Sequence, residues 1–130
     1  MFALDTNSVI YFFKGMGRVA ENLLATPPAE VRIPAVVVYE LEIGLFKSSR
    51  PKPRRKQLDE LLRWVKILPF GGKEAKASAE VRALLERAGT PIGPTDVLIA
   101  GTAKANGATL VTHNTAEFGR VKHLAIEDWF

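Results

Sequence analysis

Three carboxylates occupy positions where a folded chain usually places apolar side chains or ends a strand. Asp5 directly follows a short apolar run at residues 2–4, while Glu40 comes four residues after Val36 and Asp96 three residues before Ile99. Residues three or four apart share one face of a helix. The spacing therefore predicts that both Glu40 and Asp96 lie on the apolar faces of their helices.

Carboxylates gathered in this way repel one another unless a cation neutralises them. Oxygen ligands without histidine or cysteine suit Mg²⁺ or Mn²⁺, and such an ion can activate water for attack on a phosphate. Each acid also has a simpler interpretation. Asp5 could cap the following helix, Asp96 could complement its helix dipole, and Glu40 could pair with a buried arginine.

A further polar group follows the predicted strand at 108–112. Asn114 or Glu117 could complete the acidic site, directly or through water, or they could form a simple turn with a surface glutamate. His113 is interpreted as a surface residue or a phosphate contact, outside catalysis. Side chains next to the proposed ligands are expected to orient them by hydrogen bonding, namely Thr6, Asn7 and Thr95.

Alternating strands and helices must position these acids. The pattern predicts strands near 2–4, 31–34, 67–70, 108–112 and 124–126, with six helices between them. The third helix is predicted to be buried through Val36, Tyr39, Ile43 and Phe46. The expected fold is a single α/β domain over residues 1–130, an α/β/α sandwich with a small, mostly parallel sheet and a cleft at the carboxyl ends of its strands.

The composition narrows the function classes. The chain is 47% hydrophobic and has no cysteine, which excludes zinc ribbons, thiol nucleophiles and disulfide-framed scaffolds. We expect a reducing, cytoplasmic setting. No apolar run approaches the roughly 18 residues of a membrane helix.

The positive charge is concentrated in one stretch, here called the basic segment 47–56. Six of the 18 lysines and arginines lie there, with no acid among them: Lys47, Arg50, Lys52, Arg54, Arg55 and Lys56. Pro51 and Pro53 are expected to hold the segment out of a helix as a stiff linker. It is interpreted either as a solvated surface or as a contact for RNA phosphates.

Four motifs in order resemble the PIN-domain nucleases and, within them, the VapC toxins of toxin–antitoxin pairs. The matching segments are Leu4-Asp5-Thr6-Asn7, Glu40-Leu41-Glu42-Ile43-Gly44, residues 89–101 with Thr95-Asp96, and residues 111–118 with Asn114 and Glu117. They span nearly the whole chain. Many relatives have an aspartate where this chain has Asn114, so Glu117 is the alternative fourth acid.

The resemblance implies a PIN-like fold and an endoribonuclease dependent on Mg²⁺ or Mn²⁺, acting on structured RNA such as tRNA or rRNA. It implies an acidic triad of Asp5, Glu40 and Asp96. A VapB-type antitoxin partner is also implied, which would supply any binding to operator DNA, and we expect a homodimer.

Other functions remain open at this point. A haloacid-dehalogenase-like, Mg²⁺-dependent phosphatase would need a second aspartate where Asn7 stands, and a receiver domain would need its aspartate on a middle strand. A non-catalytic module that binds nucleic acid through the basic segment is the other class.

Overall fold

A computed structural model describes residues 1–130, and it forms one parallel sheet flanked by helices. The elements are β1 (Phe2–Leu4), α1 (Thr6–Lys14), α2 (Val19–Leu24), β2 (Val31–Pro34), α3 (Ala35–Lys47), α4 (Lys52–Trp64), β3 (Lys66–Leu68), α5 (Gly72–Arg87), α6 (Pro94–Ala105), β4 (Thr109–Val111), α7 (Thr115–Phe118) and β5 (Ile126–Glu127). A short 3₁₀ turn, Pro28–Glu30, precedes β2. The predicted α/β architecture is confirmed, with strand boundaries shifted by one or two residues.

The five strands are all parallel in the order β3-β2-β1-β4-β5. The chain builds outward from β1 to β3 and then crosses back to β4. Because parallel crossovers are right-handed, this reversal puts α5 and α6 on the opposite face from α1 to α4. The point of reversal lies between β1 and β4, where open α/β sheets form their clefts.

The core forms where the central strands are covered on both faces. Leu4, Ile33 and Leu110 are fully buried, as expected for apolar residues of a parallel sheet. Trp129 closes one end of the core and packs against Phe2, with ring centroids 5.2 Å apart. No helix is both long and apolar enough to cross a membrane.

Helix α3 is buried through a different stripe from the predicted one. Val37, Leu41 and Leu45, each four residues apart, face the core together with Val36, whereas Tyr39 is 61% exposed and Phe46 is 85% exposed. The prediction was wrong for those two aromatics because α3 carries two overlapping apolar stripes. Only the stripe through Leu41 packs into the core.

The basic segment 47–56 is not the stiff linker that was predicted. Its second half forms the first turns of α4, with Pro51 at the cap and Pro53 in the first turn. Proline is tolerated there because the first amides of a helix have no carbonyl partner within it. Apart from Lys47 at the end of α3 and the bend around Arg50, the charges therefore project from a helix.

Candidate functional site

Asp5 lies at the carboxyl end of β1 and also caps α1. Its Oδ1 accepts a hydrogen bond of 2.8 Å from the backbone N–H of Ser8, and its own N–H donates to the carbonyl of Val111 on β4. The side chain is buried, and this burial raises the pKa of Asp5, although the neighbouring hydroxyls of Thr112 and Ser8 oppose the shift. Both the cap interpretation and the placement in the cleft thus hold for this residue.

Glu40 reaches the same edge of the sheet from the middle of α3. The hydroxyl of Thr6, at the start of α1, donates a 2.5 Å hydrogen bond to Glu40 Oε1. Glu42, two residues along, instead pairs with Arg55 on α4, which lowers the pKa of Glu42. The helical period therefore places the two glutamates on different sides of α3. Glu40 contacts Thr6, next to Asp5, whereas Glu42 is neutralised by Arg55.

Asp96 projects from the first turn of α6, a helix that contacts α3. Burial, followed by the charges of Glu40, Glu117 and Asp5, raises the pKa of Asp96 to about 6. A carboxylate in the first turn of a helix is ordinarily stabilised by the helix dipole. The opposite shift at Asp96 arises mainly from burial and, in smaller part, from the three nearby acids.

Glu117 completes this group from the short helix α7. Its Oε2 accepts a 2.9 Å hydrogen bond from Asn114 Nδ2. Asn114 therefore holds the carboxylate, and Glu117 contributes to the negative potential at Asp96. We refer to Asp5, Glu40, Asp96 and Glu117 as the carboxylate cluster.

The carboxylate cluster contains no basic side chain. None of its four acids takes part in a salt bridge, whereas Glu21, Glu42 and Glu86 are each paired with an arginine. No group of three His, Cys, Asp or Glu side chains is placed so that it could hold a metal ion without side-chain movement. The donor chemistry nevertheless fits a hard divalent cation, because the cluster offers only oxygen ligands and its negative charge lacks a counterion within the protein.

The structure brings two of the four residues predicted to orient the ligands into hydrogen-bonding contact with the carboxylate cluster. Thr6 bonds to Glu40 and Asn114 bonds to Glu117. Asn7 is exposed, and neither it nor Thr95 makes a side-chain hydrogen bond to the cluster. That role at Asp5 belongs to residues the sequence analysis did not select, Ser8 and Thr112. Ser8 was identifiable, since it lies three residues after the capping Asp5.

The basic segment contributes two arginines that already have partners. Arg55 pairs with Glu42 and also lies 3.8 Å from Asp59. Arg54 lies over the ring of Phe13, 4.9 Å from its centroid. The other members of the segment, Lys47, Arg50, Lys52 and Lys56, make no salt bridge. The basic segment therefore contains three lysines and Arg50 without a salt-bridge partner, next to two arginines that contact neighbouring side chains.

Helices α1 and α4 form an open apolar groove. It has a volume of about 340 Å³ and is lined by Phe12, Phe13, Leu61 and Trp64, with Gln57 and Glu60 at its edge. Gln57 donates to the carbonyl of Phe13 and so joins the two helices. A groove of this composition suits an apolar segment of a partner.

The sequence matches the family model described as "PIN domain" over residues 2–124. It is 34% identical to the "tRNA(fMet)-specific endonuclease VapC" of Shigella flexneri over 128 residues, which cover 98% of this chain and 97% of that protein. It is 33% identical to "Ribonuclease VapC2" of Rickettsia felis over 137 residues, 99% of this chain and 98% of the relative.

Solved structures agree with these relationships. The Rickettsia felis VapBC2 complex bound to a promoter DNA fragment contains a chain that superposes with a TM-score of 0.92 at 34% identity, covering 99% of this chain and 98% of that one. The DNA-bound VapBC complex of Salmonella typhimurium gives a TM-score of 0.92 at 32% identity, with the same coverage.

Proposed function

Because the chain belongs to the PIN-domain family, and within it to the VapC ribonucleases, we propose that it is a cytoplasmic endoribonuclease toxin dependent on a divalent metal ion. The family resemblance inferred from the sequence is confirmed by the match over residues 2–124. In this proposal residues 1–130 act as one PIN domain. The ion is Mg²⁺ or Mn²⁺, and the substrate is a structured RNA, either tRNA or rRNA.

The observation that carries the proposal is the electrostatics of the carboxylate cluster. At the carboxyl end of a parallel sheet, burial and the charges of Glu40, Glu117 and Asp5 raise the pKa of Asp96 to about 6, and no salt bridge to these acids offsets the repulsion. Such an arrangement costs stability in a protein that binds no cation. A metal-binding function accounts for its presence.

We assign Asp5, Glu40 and Asp96 as metal ligands and Glu117 as the fourth catalytic carboxylate. A divalent ion held there would supply a Lewis acid for the scissile phosphate and an activated water. Ser8 fixes one oxygen of Asp5, Thr6 orients Glu40, and Asn114 orients Glu117. Because these hydrogen bonds hold the carboxylates, little reorganisation is needed when substrate binds.

The test is RNA cleavage by the purified protein as Mg²⁺ or Mn²⁺ is titrated. We expect Asp96→Asn to reduce cleavage on the order of a hundredfold or more, since the ion would lose a charged ligand. Glu86→Gln is the matched control, because Glu86 is exposed and pairs only with Arg82. Cleavage that persists in EDTA, or full activity of Asp96→Asn, would contradict the assignment.

The RNA substrate is best identified in cells. The Shigella flexneri relative is named as a tRNA(fMet)-specific endonuclease, which makes initiator tRNA the first substrate to examine. Sequencing of RNA 5′ ends after induced expression, with Asp96→Asn as the inactive comparison, would locate the cut. Cleavage ends restricted to unstructured messenger RNA would contradict a structured substrate.

We propose that a VapB-type antitoxin inhibits the protein, and that any binding to operator DNA depends on that partner. The related complexes from Rickettsia felis and Salmonella typhimurium pair toxin with antitoxin on DNA. The uncompensated carboxylate cluster would accept an inserted arginine or lysine, and the groove between α1 and α4 is open to an apolar segment.

Co-expression with a neighbouring small gene tests the partner. Inhibition that weakens as Mg²⁺ is raised would support insertion of a cation into the cluster. Trp64→Glu should weaken the complex without abolishing cleavage, because Trp64 lines the groove and is 41% exposed. If the toxin purifies alone and is harmless to its host, the toxin proposal fails even if RNA cleavage is observed.

A further inference from the structure

His113 stands beside the carboxylate cluster in a fixed orientation. Its ring stacks on Phe130, with centroids 4.2 Å apart and planes inclined by 21°. Its Nδ1 lies 2.9 Å from Asp128 Oδ2. The stack on Phe130 thus fixes the plane of the partly exposed imidazole, and the contact with Asp128 fixes the direction of Nδ1 within that plane.

Phe130 is held in place by a backbone hydrogen bond and by close packing against Gly17 and Tyr11. Its carbonyl accepts a 2.6 Å hydrogen bond from the N–H of Arg18, and its ring covers Gly17 so closely that a Cβ there would lie 2.7 Å from the ring. Tyr11 meets Phe130 edge-on at 5.0 Å. The surface beneath His113 is therefore built from residues of three separate parts of the chain.

The outer face of His113 carries no aromatic neighbour. The Tyr11 ring lies 6.1 Å from His113 but 5.0 Å from Phe130, which places it on the Phe130 side of the stack. The side chain of His113 is 46% exposed. One flat face of an oriented ring is consequently open to solvent.

His113 is adjacent along the chain to two residues that contact the carboxylate cluster. His113 lies in the chain between Thr112, whose hydroxyl contributes to the environment of Asp5, and Asn114, which bonds to Glu117. Asp128, the partner of His113, also acts on the charge of Asp5. This placement suits contact between the ring and a nucleotide next to a phosphate bound at the cluster.

We propose that His113 is an RNA contact whose outer face stacks on an unpaired base next to the scissile phosphate, and that it selects for unpaired nucleotides and not for one base. The inference rests on the proposed nuclease function. Unpaired bases commonly stack on aromatic and histidine side chains, and such stacking tolerates any base. Phe130 and Asp128 are positioning residues, since they hold the ring before RNA arrives.

The test measures binding of an RNA that carries 2-aminopurine at an unpaired position to the full chain with Ca²⁺ in place of Mg²⁺, because a hard cation neutralises the carboxylate cluster for an adjacent phosphate. The fluorescence is read on mixing, before cleavage. Stacking quenches the fluorescence of 2-aminopurine. We expect His113→Ala to weaken binding about tenfold and to abolish the quenching. His113→Phe should restore both, because it keeps a flat ring while losing the bond to Asp128.

Two glycines, Gly15 and Gly17, provide a matched test of whether the position of Phe130 matters for RNA stacking. Gly15 and Gly17 both have positive φ, 66° and 61°, but only Gly17 contacts Phe130. Gly17→Ala should displace Phe130 and reduce the quenching, while Gly15→Ala, with similar backbone strain, should not.

The outcomes separate the two proposals. If the wild type neither binds nor cleaves RNA, the proposed nuclease function is refuted, and the stacking proposal that rests on it is refuted as well. If the wild type cleaves RNA while His113→Ala retains its affinity and quenching, only the stacking proposal is overturned. It is also overturned if His113→Ala weakens binding of the antitoxin alone, since the face would then serve a protein partner.

Discussion

The carboxylate of Asp5 both caps helix α1 and is a proposed metal ligand. Substitutions of Asp5 should separate the effect on stability from the effect on cleavage. Asparagine can still accept from the N–H of Ser8, whereas alanine cannot. We expect Asp5→Asn and Asp5→Ala both to lose cleavage, but Asp5→Ala to be less stable than Asp5→Asn by about 1 kcal/mol. Urea unfolding without metal measures the difference. Equal midpoints would show that the cap contributes nothing.

The raised pKa of Asp96 makes the metal-free protein sensitive to pH. The folded form holds the proton up to about pH 6, whereas the usual value is 3.8, so between these values the folded state binds more protons than the unfolded state. Stability should therefore fall as pH rises from about 4 to 6. Denaturation midpoints across this range check the sign.

Asp96→Asn provides the comparison for that pH series. Removing the titrating group should flatten the fall and leave the variant more stable than the wild type at pH 7, by about 1 kcal/mol after allowance for the partial exposure of the side chain. Part of the slope should remain, because burial also raises the pKa of Asp5. Glu86→Gln should reproduce the wild-type slope, and a flat wild-type profile would refute the electrostatic account.

Single residues show where sequence reasoning succeeds and where it stops. The helical period correctly located Glu40 at the cleft and Glu42 away from it. The same kind of pattern does not identify Glu74, which is 2% exposed yet fully bonded to Gly71 N and Asn106 Nδ2. A buried acid becomes a candidate ligand only when its partners are known, and those partners come from distant parts of the chain.

At the scale of elements, α5 and α6 pack so closely that a glycine is required. A Cβ on Gly101 would lie 2.0 Å from Ser78 Oγ and 2.6 Å from Ser78 Cα. We expect Gly101→Ala to destabilise the protein by about 1–3 kcal/mol, because backbone must move. Thermal unfolding measures this, and unchanged stability would show that the helices separate easily.

Ser78 offers a change in the opposite direction. Its buried hydroxyl has no hydrogen-bond partner. Ser78→Ala should therefore leave stability unchanged or raise it by about 1 kcal/mol. It should not rescue Gly101→Ala, since the Cα and Cβ of residue 78 remain in the way. A clear loss of stability in Ser78→Ala would reveal a partner for the hydroxyl.

The structure refines which charges of the basic segment are available to RNA. Arg55 already pairs with Glu42 and Asp59, whereas Lys56 makes no salt bridge. Lys56→Gln should flatten the log–log dependence of RNA binding on salt by about one unit, and Arg55→Gln should flatten it less. Identical slopes for wild type and Lys56→Gln would show that the basic segment is a solvated surface that does not contact RNA phosphates.

Two expectations failed because the local sequence is compatible with more than one arrangement. The sequence predicts that Pro51 and Pro53 interrupt a helix, but proline is also compatible with the first turn of a helix, and composition does not distinguish the two. Tyr39 and Phe46 fit one apolar stripe of α3, while Leu41 and Leu45 fit another. Only the packing of α3 onto the sheet decides between the stripes, and that depends on long-range contacts.

For the whole molecule, the exposed stripe of α3 is the surface we propose for a homodimer. Phe46 is 85% exposed and Tyr39 61% exposed, beside Gly44, which leaves room for close approach. Phe46→Lys should convert a dimer to a monomer, measured by light scattering after size-exclusion chromatography. Trp64→Lys, at the separate groove, is the control and should keep the dimer. A monomeric wild type would refute this assignment.

The order of strands also bears on when the protein becomes able to act during its synthesis. Asp5 is held in place by the carbonyl of Val111, and Glu117 follows still later in the chain, so the cluster joins the first and last parts of the sequence. A nascent chain that has emerged only through β3 contains Asp5 and Glu40 but neither of the other two acids. Such late, non-local closure delays assembly of the site until translation is nearly finished. An incomplete nascent chain therefore lacks the proposed catalytic site.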